Sequence, residues 1–375
     1  MRIVQIANTL SVKDGGPARN ASELNLALNA LGDTQSTLFA VCGRYEDSVI
    51  ASDETDAVGS VGRIRRVSIW RRKQRGVSSL LSALRQVLRA DIVIIHGYFL
   101  PWVLPVTVLL RLRQIPYVLT PHGSLTLHQQ QASRRKKAVY EALAGRFVRA
   151  GLASFVTGSL IEATELVDKF PTAHVSMGGV GVRLPEHFKH DDPLNVPVRL
   201  LSMSRLAEVK RIDISIQAVE VLLGRGHDVR LTIAGIGPED VTRRLRAMGE
   251  GLIKEGRLEF VGQVTGPLKG QLFRESDIFL LPSDNENFGI GFAEAMAYGV
   301  PSVASTNVAS ATKMPSAAGV LVNSPTPESM ADAIGSILSS EDYEYRQVAA
   351  RRFAETEFSW SSVAENWREV LSAHA

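Results

Sequence analysis

The sequence predicts an α/β protein built from two parallel-sheet domains, and three observations carry that expectation. Short apolar strands alternate with helical stretches along the chain, the pattern of a parallel sheet with crossover helices. At 375 residues the chain exceeds what one ordinary core holds, so two domains are expected, each large enough to bury an interior. After residue 184 the alternation stops in a polar stretch that holds Pro185, Pro193 and Pro197 and reads as a linker. The expected division is 1–184 for the first domain, 185–197 for the linker, 198–355 for the second domain and 356–375 for a C-terminal helix.

Composition narrows the class. Apolar and charged residues make up 45% and 22% of the chain, as in soluble globular proteins. No run of about eighteen apolar residues escapes a charge or a helix breaker, so no membrane-spanning helix is expected. Met1 to Ala7 reads as a first core strand and lacks a signal-peptide pattern. Cys42 is the only cysteine, which excludes an internal disulfide and a cysteine metal cluster and fits a reducing, cytoplasmic location. The net charge of +3 hides a division: residues 1–190 carry 24 Lys and Arg against 14 Asp and Glu, and the remainder 18 against 25. The basic half is expected to face something anionic.

The first domain opens with a strand over residues 2–8, the loop Lys13-Asp14-Gly15-Gly16-Pro17, and a helix marked by Leu24, Leu28 and Leu31 and stopped at Gly32. Taken alone, Gly15-Gly16 is an ordinary flexible turn. Leu38 to Val41 is the next strand, and residues 45–62 are polar and loop-rich. The segment Arg63 to Arg75 carries seven basic residues interleaved with Ile64, Val67 and Trp70. Such a segment can lie on an anionic bilayer or be a solvated loop or helix face; no nucleic-acid module accompanies it. Two further strands end in histidine, one at His96-Gly97 and one at Pro121-His122-Gly123. Open α/β sheets bind ligands at the carboxyl ends of their strands, although a packed core histidine is the simpler reading of His96. Arg134-Arg135-Lys136-Lys137 opens the next helix, and two more strands, at 154–157 and 173–177, complete the domain.

In the second domain the strand Val198 to Met203 is followed by Arg205 and Lys210, cations placed to neutralise a diphosphate at the ligand-bearing edge. The strand 229–233 ends in Gly235-Ile236-Gly237, which lacks the third glycine of a dinucleotide fingerprint. A strand at 258–262 follows. The strand Ile278 to Leu281 then runs into Pro282-Ser283, a loop with Glu286, and a helix containing Glu294 that Gly299 and Pro301 close. A helix N-terminus suits phosphate, and flanking carboxylates suit hydroxyls. Phosphate between hydroxyl-rich ends describes a nucleotide sugar. Either glutamate alone could be a solvated loop residue or an acid answering the helix dipole.

The unbroken string Pro282-Ser283-x-x-Glu286-x-Phe288-Gly289, continued by Glu294-Ala295-Met296-Ala297-x-Gly299-x-Pro301, resembles the Glu-x7-Glu motif of the family 4 retaining glycosyltransferases. Arg205-Leu206-x3-Lys210-Arg211-x-Asp213 is similar to the family's Arg-Leu-x3-Lys-Gly-x-Asp, with Arg211 in place of glycine. Ala234-Gly235-Ile236-Gly237-Pro238 and Pro121-His122-Gly123 resemble two further family loops, whereas Ser305 to Thr312 lacks the Gly-Gly-x-x-Glu that usually follows. The resemblance implies the GT-B architecture: two Rossmann-like domains facing a central cleft, with the C-terminal helix crossing back to the first. It implies retaining transfer of a hexose-type sugar from a UDP- or GDP-sugar to an acceptor hydroxyl, with no metal or other cofactor. His122 and Glu286 would then be catalytic, with Gly16, Arg205, Lys210, Phe288, Gly289, Ile290 and Glu294 on the donor. Glu294 would hold the ribose, Arg205 and Lys210 the diphosphate, and the backbone of Phe288 to Ile290 the phosphate and sugar. The implied acceptor is a saccharide or lipid-linked saccharide of cell-surface polysaccharide synthesis, met at the inner face of the plasma membrane with Arg63 to Arg75 as a peripheral contact. A nucleotide-sugar 2-epimerase of the same fold and a non-catalytic sugar-nucleotide binding protein are the alternatives.

Overall fold

The structure is a computed structural model describing residues 1–10, 16–41, 63–67, 77–78, 80–131, 133–339 and 342–375. The expected loop 45–62 and residues 68–75 of the basic segment lie outside the described residues. The chain divides into two compact units, residues 1–181 with 360–375 and residues 182–359. Each is a parallel sheet with crossover helices, so the fold is the expected pair of Rossmann-like α/β units of the GT-B class.

In the first unit the described strands are β1 (Arg2–Ala7), β2 (Gln35–Ala40), β3 (Arg63–Val67), β4 (Val77–Ser78), β5 (Ile92–His96), β6 (Tyr117–Thr120), β7 (Leu152–Thr157) and β8 (Val175–Met177). Their order is β4-β3-β2-β1-β5-β6-β7-β8, all parallel. The central strands are apolar runs because both sheet faces are covered. Arg63–Val67 is thus a strand paired with β2, neither a loop nor a helix. The helix Trp360–Ser372 also belongs to this unit. Val363, Trp367 and Leu371 form its apolar stripe and pack on Ile3, Leu24 and Leu28. The close fit is visible at Gly178, where a Cβ would lie 2.5 Å from the Trp367 ring.

In the second unit β9 (Val198–Met203), β10 (Val229–Ala234), β11 (Leu258–Gly262), β12 (Ile278–Leu281), β13 (Ser302–Ser305) and β14 (Gly319–Val322) run in the order β11-β10-β9-β12-β13-β14. The order reverses direction between β9 and β12, and that is where a doubly wound sheet opens its ligand crevice. Alternation along the strands divides the core. Leu200, Ile278 and Leu280 face the layer that contains Ile216 and Ile334, while Leu201, Phe279 and Leu281 face Phe292 and Met296. The helix Ile290–Ala297 is apolar nearly all round because it lies between the sheet and the helix Tyr343–Glu357.

Residues 185–197 do not behave as a free linker. Lys189, 4% exposed, places Nζ 2.9 Å from Asp277 Oδ1 and also donates to the Ser276 carbonyl at 3.0 Å. Asp277 further accepts from Asn195 Nδ2 at 2.8 Å and from the Arg199 N–H at 2.8 Å. The prolines and polar residues do mark a stretch without regular secondary structure, but the stretch is packed onto the second unit.

Candidate active site

The second unit gathers its predicted residues at the β9/β12 crevice. The loop after β9 and the loop after β12 are joined by a hydrogen bond from the Asp284 N–H to the Val209 carbonyl at 2.9 Å. Arg211, where the family has glycine, takes the left-handed conformation at φ 50° and reaches both Asp213 and Asp284 at 3.2 Å. The glycine conformation is kept and the guanidinium ties the two loops together. Within this frame the Lys210 ammonium and the Glu286 carboxylate form an ion pair, their side chains only 12% and 18% exposed. Burial, with the nearby positive charge of Arg205 second, pushes Lys210 down to about 8, so it is still protonated at neutrality.

Glu286 and Phe288 are held from behind by the loop after β13. The Glu286 N–H donates to Asn307 O at 3.1 Å, Ala309 N–H to Glu286 O at 3.1 Å, and Ser310 N–H to Phe288 O at 3.3 Å. The segment Ser305 to Thr312, without the family's Gly-Gly-x-x-Glu, thus supports the site through its backbone. Gly289 stands at φ 89° as N-cap of the helix Ile290–Ala297, which has no side-chain cap, so its leading N–H groups are left for a ligand. A Cβ at Gly291 would lie 2.6 Å from the Met203 carbonyl, so glycine lets this helix begin directly against the end of β9. One turn in, Glu294 pairs with Lys269 of the helix Gly266–Glu275 at 2.6 Å.

The Gly235-x-Gly237 loop packs closely on the loop after β9. A Cβ at either glycine would lie 1.9 Å from a backbone oxygen, of Ser204 or of Leu206. The two glycines let the loop after β10 lie flat on the segment that carries Arg205, with Leu206 N–H donating to Ile236 O at 3.0 Å. A cavity of about 330 Å³ opens there, lined by Leu206, Gly237, Thr242, Arg246 and Phe260 among others.

The first unit has a cavity of about 330 Å³ at its own switch point, between the ends of β1 and β5, lined by Asn8, Pro17, His96, Tyr98 and His122 among others. His122 follows β6 with φ 52°, and Gly123 continues the turn at φ 79°. The Gly123 N–H donates to the buried Glu162 carboxylate at 2.5 Å, which pins the turn. His122 Nε2 lies 3.0 Å from His96 Nδ1, and His96 Nε2 lies 2.8 Å from Gln5 Oε1. Gln5 in turn donates from Nε2 to Ser36 Oγ at 2.9 Å. Burial pushes His122 down to about 4, and burial plus the neighbouring His122 hold His96 well below the ordinary histidine range. Both rings are neutral near pH 7. Gly16 heads the helix Gly16–Ala30 beside the cavity residue Pro17; the rest of its loop lies outside the described residues.

His122 and Gly16 therefore belong to the first unit, and Arg205, Lys210, Glu286, Phe288, Gly289, Ile290 and Glu294 to the second. Sequence reasoning missed Lys269, Gln5 and Glu162. Gln5 had a signal, a polar residue inside the apolar run Ile3 to Ala7, and Glu162 stands in a Ser159-x-x-Glu162 capping pattern. Lys269 had none. Among the described residues no helix is long and apolar enough to cross a membrane, and no group of three His, Cys, Asp or Glu is placed to hold a metal.

Comparison with known proteins agrees with this two-unit fold. Residues 186–354 match the family of glycosyl transferases group 1, and residues 15–177 match the glycosyl transferase 4-like domain. The chain belongs to the family 4 glycosyltransferases. Among curated relatives, it is 32% identical over 179 residues to a GDP-mannose-dependent alpha-(1-6)-phosphatidylinositol dimannoside mannosyltransferase of Mycobacterium tuberculosis, 48% of this chain and 45% of that one. It is 31% identical over 219 residues to the amylovoran biosynthesis glycosyltransferase AmsK of Erwinia amylovora, 54% of this chain and 51% of that one. The chain thus spans about half the length of the curated relatives it matches. Among solved structures, HepE of Anabaena in complex with UDP is similar over all of both chains, with a TM-score of 0.74 and 16% identity. A glycosyltransferase from Rickettsia africae is similar over 99% of this chain and 98% of its own, with a TM-score of 0.73 and 18% identity.

Proposed function

We infer that the protein is a hexosyltransferase that moves a sugar from a UDP- or GDP-sugar to a hydroxyl of a saccharide or lipid-linked saccharide, with retention at the anomeric carbon. The observation that carries this reading is the pair of lysine–glutamate contacts, Lys210 with Glu286 and Lys269 with Glu294, flanking the uncapped start of the helix Ile290–Ala297. On this reading Glu294 exchanges Lys269 for the ribose hydroxyls. Arg205 and Lys210 meet the diphosphate, and the backbone N–H groups of Phe288, Gly289 and Ile290 hold phosphate and sugar. Glu286 faces the sugar hydroxyls and steadies positive charge developing at the anomeric carbon, while His122 hydrogen-bonds the sugar near that carbon. The bond from the anomeric carbon to the diphosphate oxygen breaks, the bond to the acceptor oxygen forms on the same face, and the acceptor proton leaves on the diphosphate.

The activities for which the two curated relatives are named support a nucleotide-sugar donor and a glycolipid or polysaccharide acceptor. Such an acceptor would be met at the inner face of the plasma membrane, where the exposed Arg134, Arg135 and Lys136 suit anionic lipid. Thermal unfolding against a panel of nucleotide sugars tests the donor. One of them, at a hundred times its Kd, should add about 2.7 kcal/mol of stability, and Glu294→Ala should abolish the gain. Lys210→Ala should lower turnover about 10² to 10³-fold, the usual effect of removing one preorganised charge-stabilising group. A panel without any stabilising nucleotide sugar, or near-wild-type turnover in Lys210→Ala, would overturn the assignment.

A further inference from the structure

Gln5 is a polar residue fully buried in the centre of β1, an otherwise apolar strand. Its place in the sheet explains why it is tolerated there. β1 lies between β2 and β5, so the amide reaches Ser36 on one side and His96 on the other. The Gln5 Oε1 that faces His96 can only accept, so His96 Nε2, at 2.8 Å, carries the proton. A neutral imidazole has one proton, so His96 Nδ1 accepts and His122 Nε2, at 3.0 Å, must donate. That commits the single proton of His122 to Nε2 and leaves Nδ1 bare, with no hydrogen-bond partner among the described residues. The depressed affinities of both rings for a second proton fit this count of one proton per ring.

We propose that Gln5, acting through His96, is a positioning residue that fixes the tautomer of His122, so that His122 presents Nδ1 to the first-unit cavity as a hydrogen-bond acceptor for a hydroxyl. A histidine with a protonated Nδ1 would instead donate and would favour an oxyanion. The chain Ser36, Gln5, His96, His122 runs across three strands of the sheet to the turn after β6 without a charge, so burial does not penalise it as it would an ionised relay. That the hydroxyl belongs to the transferred sugar rests on the function proposed above; the tautomer does not.

Long-range ¹H–¹⁵N correlation spectra of the full chain, with ¹⁵N-labelled histidine at neutral pH, read the tautomer directly. His122 should show a protonated Nε2 and an unprotonated Nδ1; a protonated Nδ1 in the wild-type protein overturns the proposal. Gln5→Glu keeps the side-chain shape but favours a charged His96, whose Nδ1–H would then donate to His122 Nε2 and move the His122 proton to Nδ1. That variant should show the switched tautomer and about tenfold slower transfer, the worth of one hydrogen bond. An unswitched tautomer in folded Gln5→Glu refutes the positioning role. A switched tautomer with unchanged transfer upholds the positioning role and refutes the part of His122 in the sugar site.

Discussion

At the β1/β5 crevice of the first unit Gln5, His96 and His122 form a hydrogen-bonded chain that is uncharged near neutrality, with Lys137 a basic residue of the cavity lining, while at the β9/β12 crevice of the second the site is built from Arg205, Lys210, Glu286, Lys269 and Glu294. Both crevices stand where the strand order reverses, and each has one non-glycine residue in the left-handed region, His122 at φ 52° and Arg211 at φ 50°. Topology thus sets where a ligand can be met, and the chemistry of the side chains sets which part of it. A histidine can be buried by giving up its charge. A lysine that must stay charged needs a carboxylate beside it, and each lysine of the second unit's crevice has one.

The contrast can be broken most severely at Lys189. If residues 185–197 are part of the second unit, Lys189→Met leaves Asp277 buried without its cation and should cost about 3–5 kcal/mol. Hydrogen exchange should then show lost protection in β9 and β12; loss confined to β1 and β5 would disprove the assignment. A pH titration of stability separates the units next. The unfolded chain takes up a proton on histidine near pH 6.5, but folded His122 waits until about 4, so the unfolded state binds more protons in between. Unfolding free energy should therefore drop by a few kcal/mol as the pH falls from about 6.5 to about 4. Lys210 acts at the other end. Folded, it loses its proton near 8, and unfolded near 10.4, so its contribution makes stability rise with pH across that window. An acid limb unchanged in His122→Gln would place the titrating group elsewhere. The smallest effect is expected for Arg211→Gly. Relief of about 1–2 kcal/mol of left-handed strain should offset two partly exposed ion pairs worth about 0–1 kcal/mol each, leaving stability within about 1 kcal/mol of wild type. A loss above about 2 kcal/mol in denaturant titration would mean that the loop clamp outweighs the strain.

Much of this is legible without the structure. The β12 strand and the helix after it follow from an apolar run, a Pro-Ser stop, two loop glycines and a string of helix formers. β14 escapes a reading of the sequence because it has only four residues, half of them partly exposed, too short a run to show a period of its own. The simpler reading of His96, a packed core histidine, holds only in part. The ring is buried and hydrogen-bonded, but its second partner is His122, which only the pairing of β5 with β6 brings to it. Lys269 is invisible in the sequence because Glu294 lies in another helix, and nothing local to either residue encodes their meeting.

The sequence by itself determined the alternation of strands and helices, the family, and which residue types stand at the strand ends, because apolar periodicity, glycine placement and motif spacing are local properties of the chain. Only the tertiary structure decided which of those residues touch. The strand order brings Gln5 to His96 and His96 to His122, and it sets the loop of Lys210 against the loop of Glu286. Strand order depends on long-range packing, so it is also what decided that the first unit's crevice would hold a neutral histidine chain and the second's a pair of lysine–glutamate contacts.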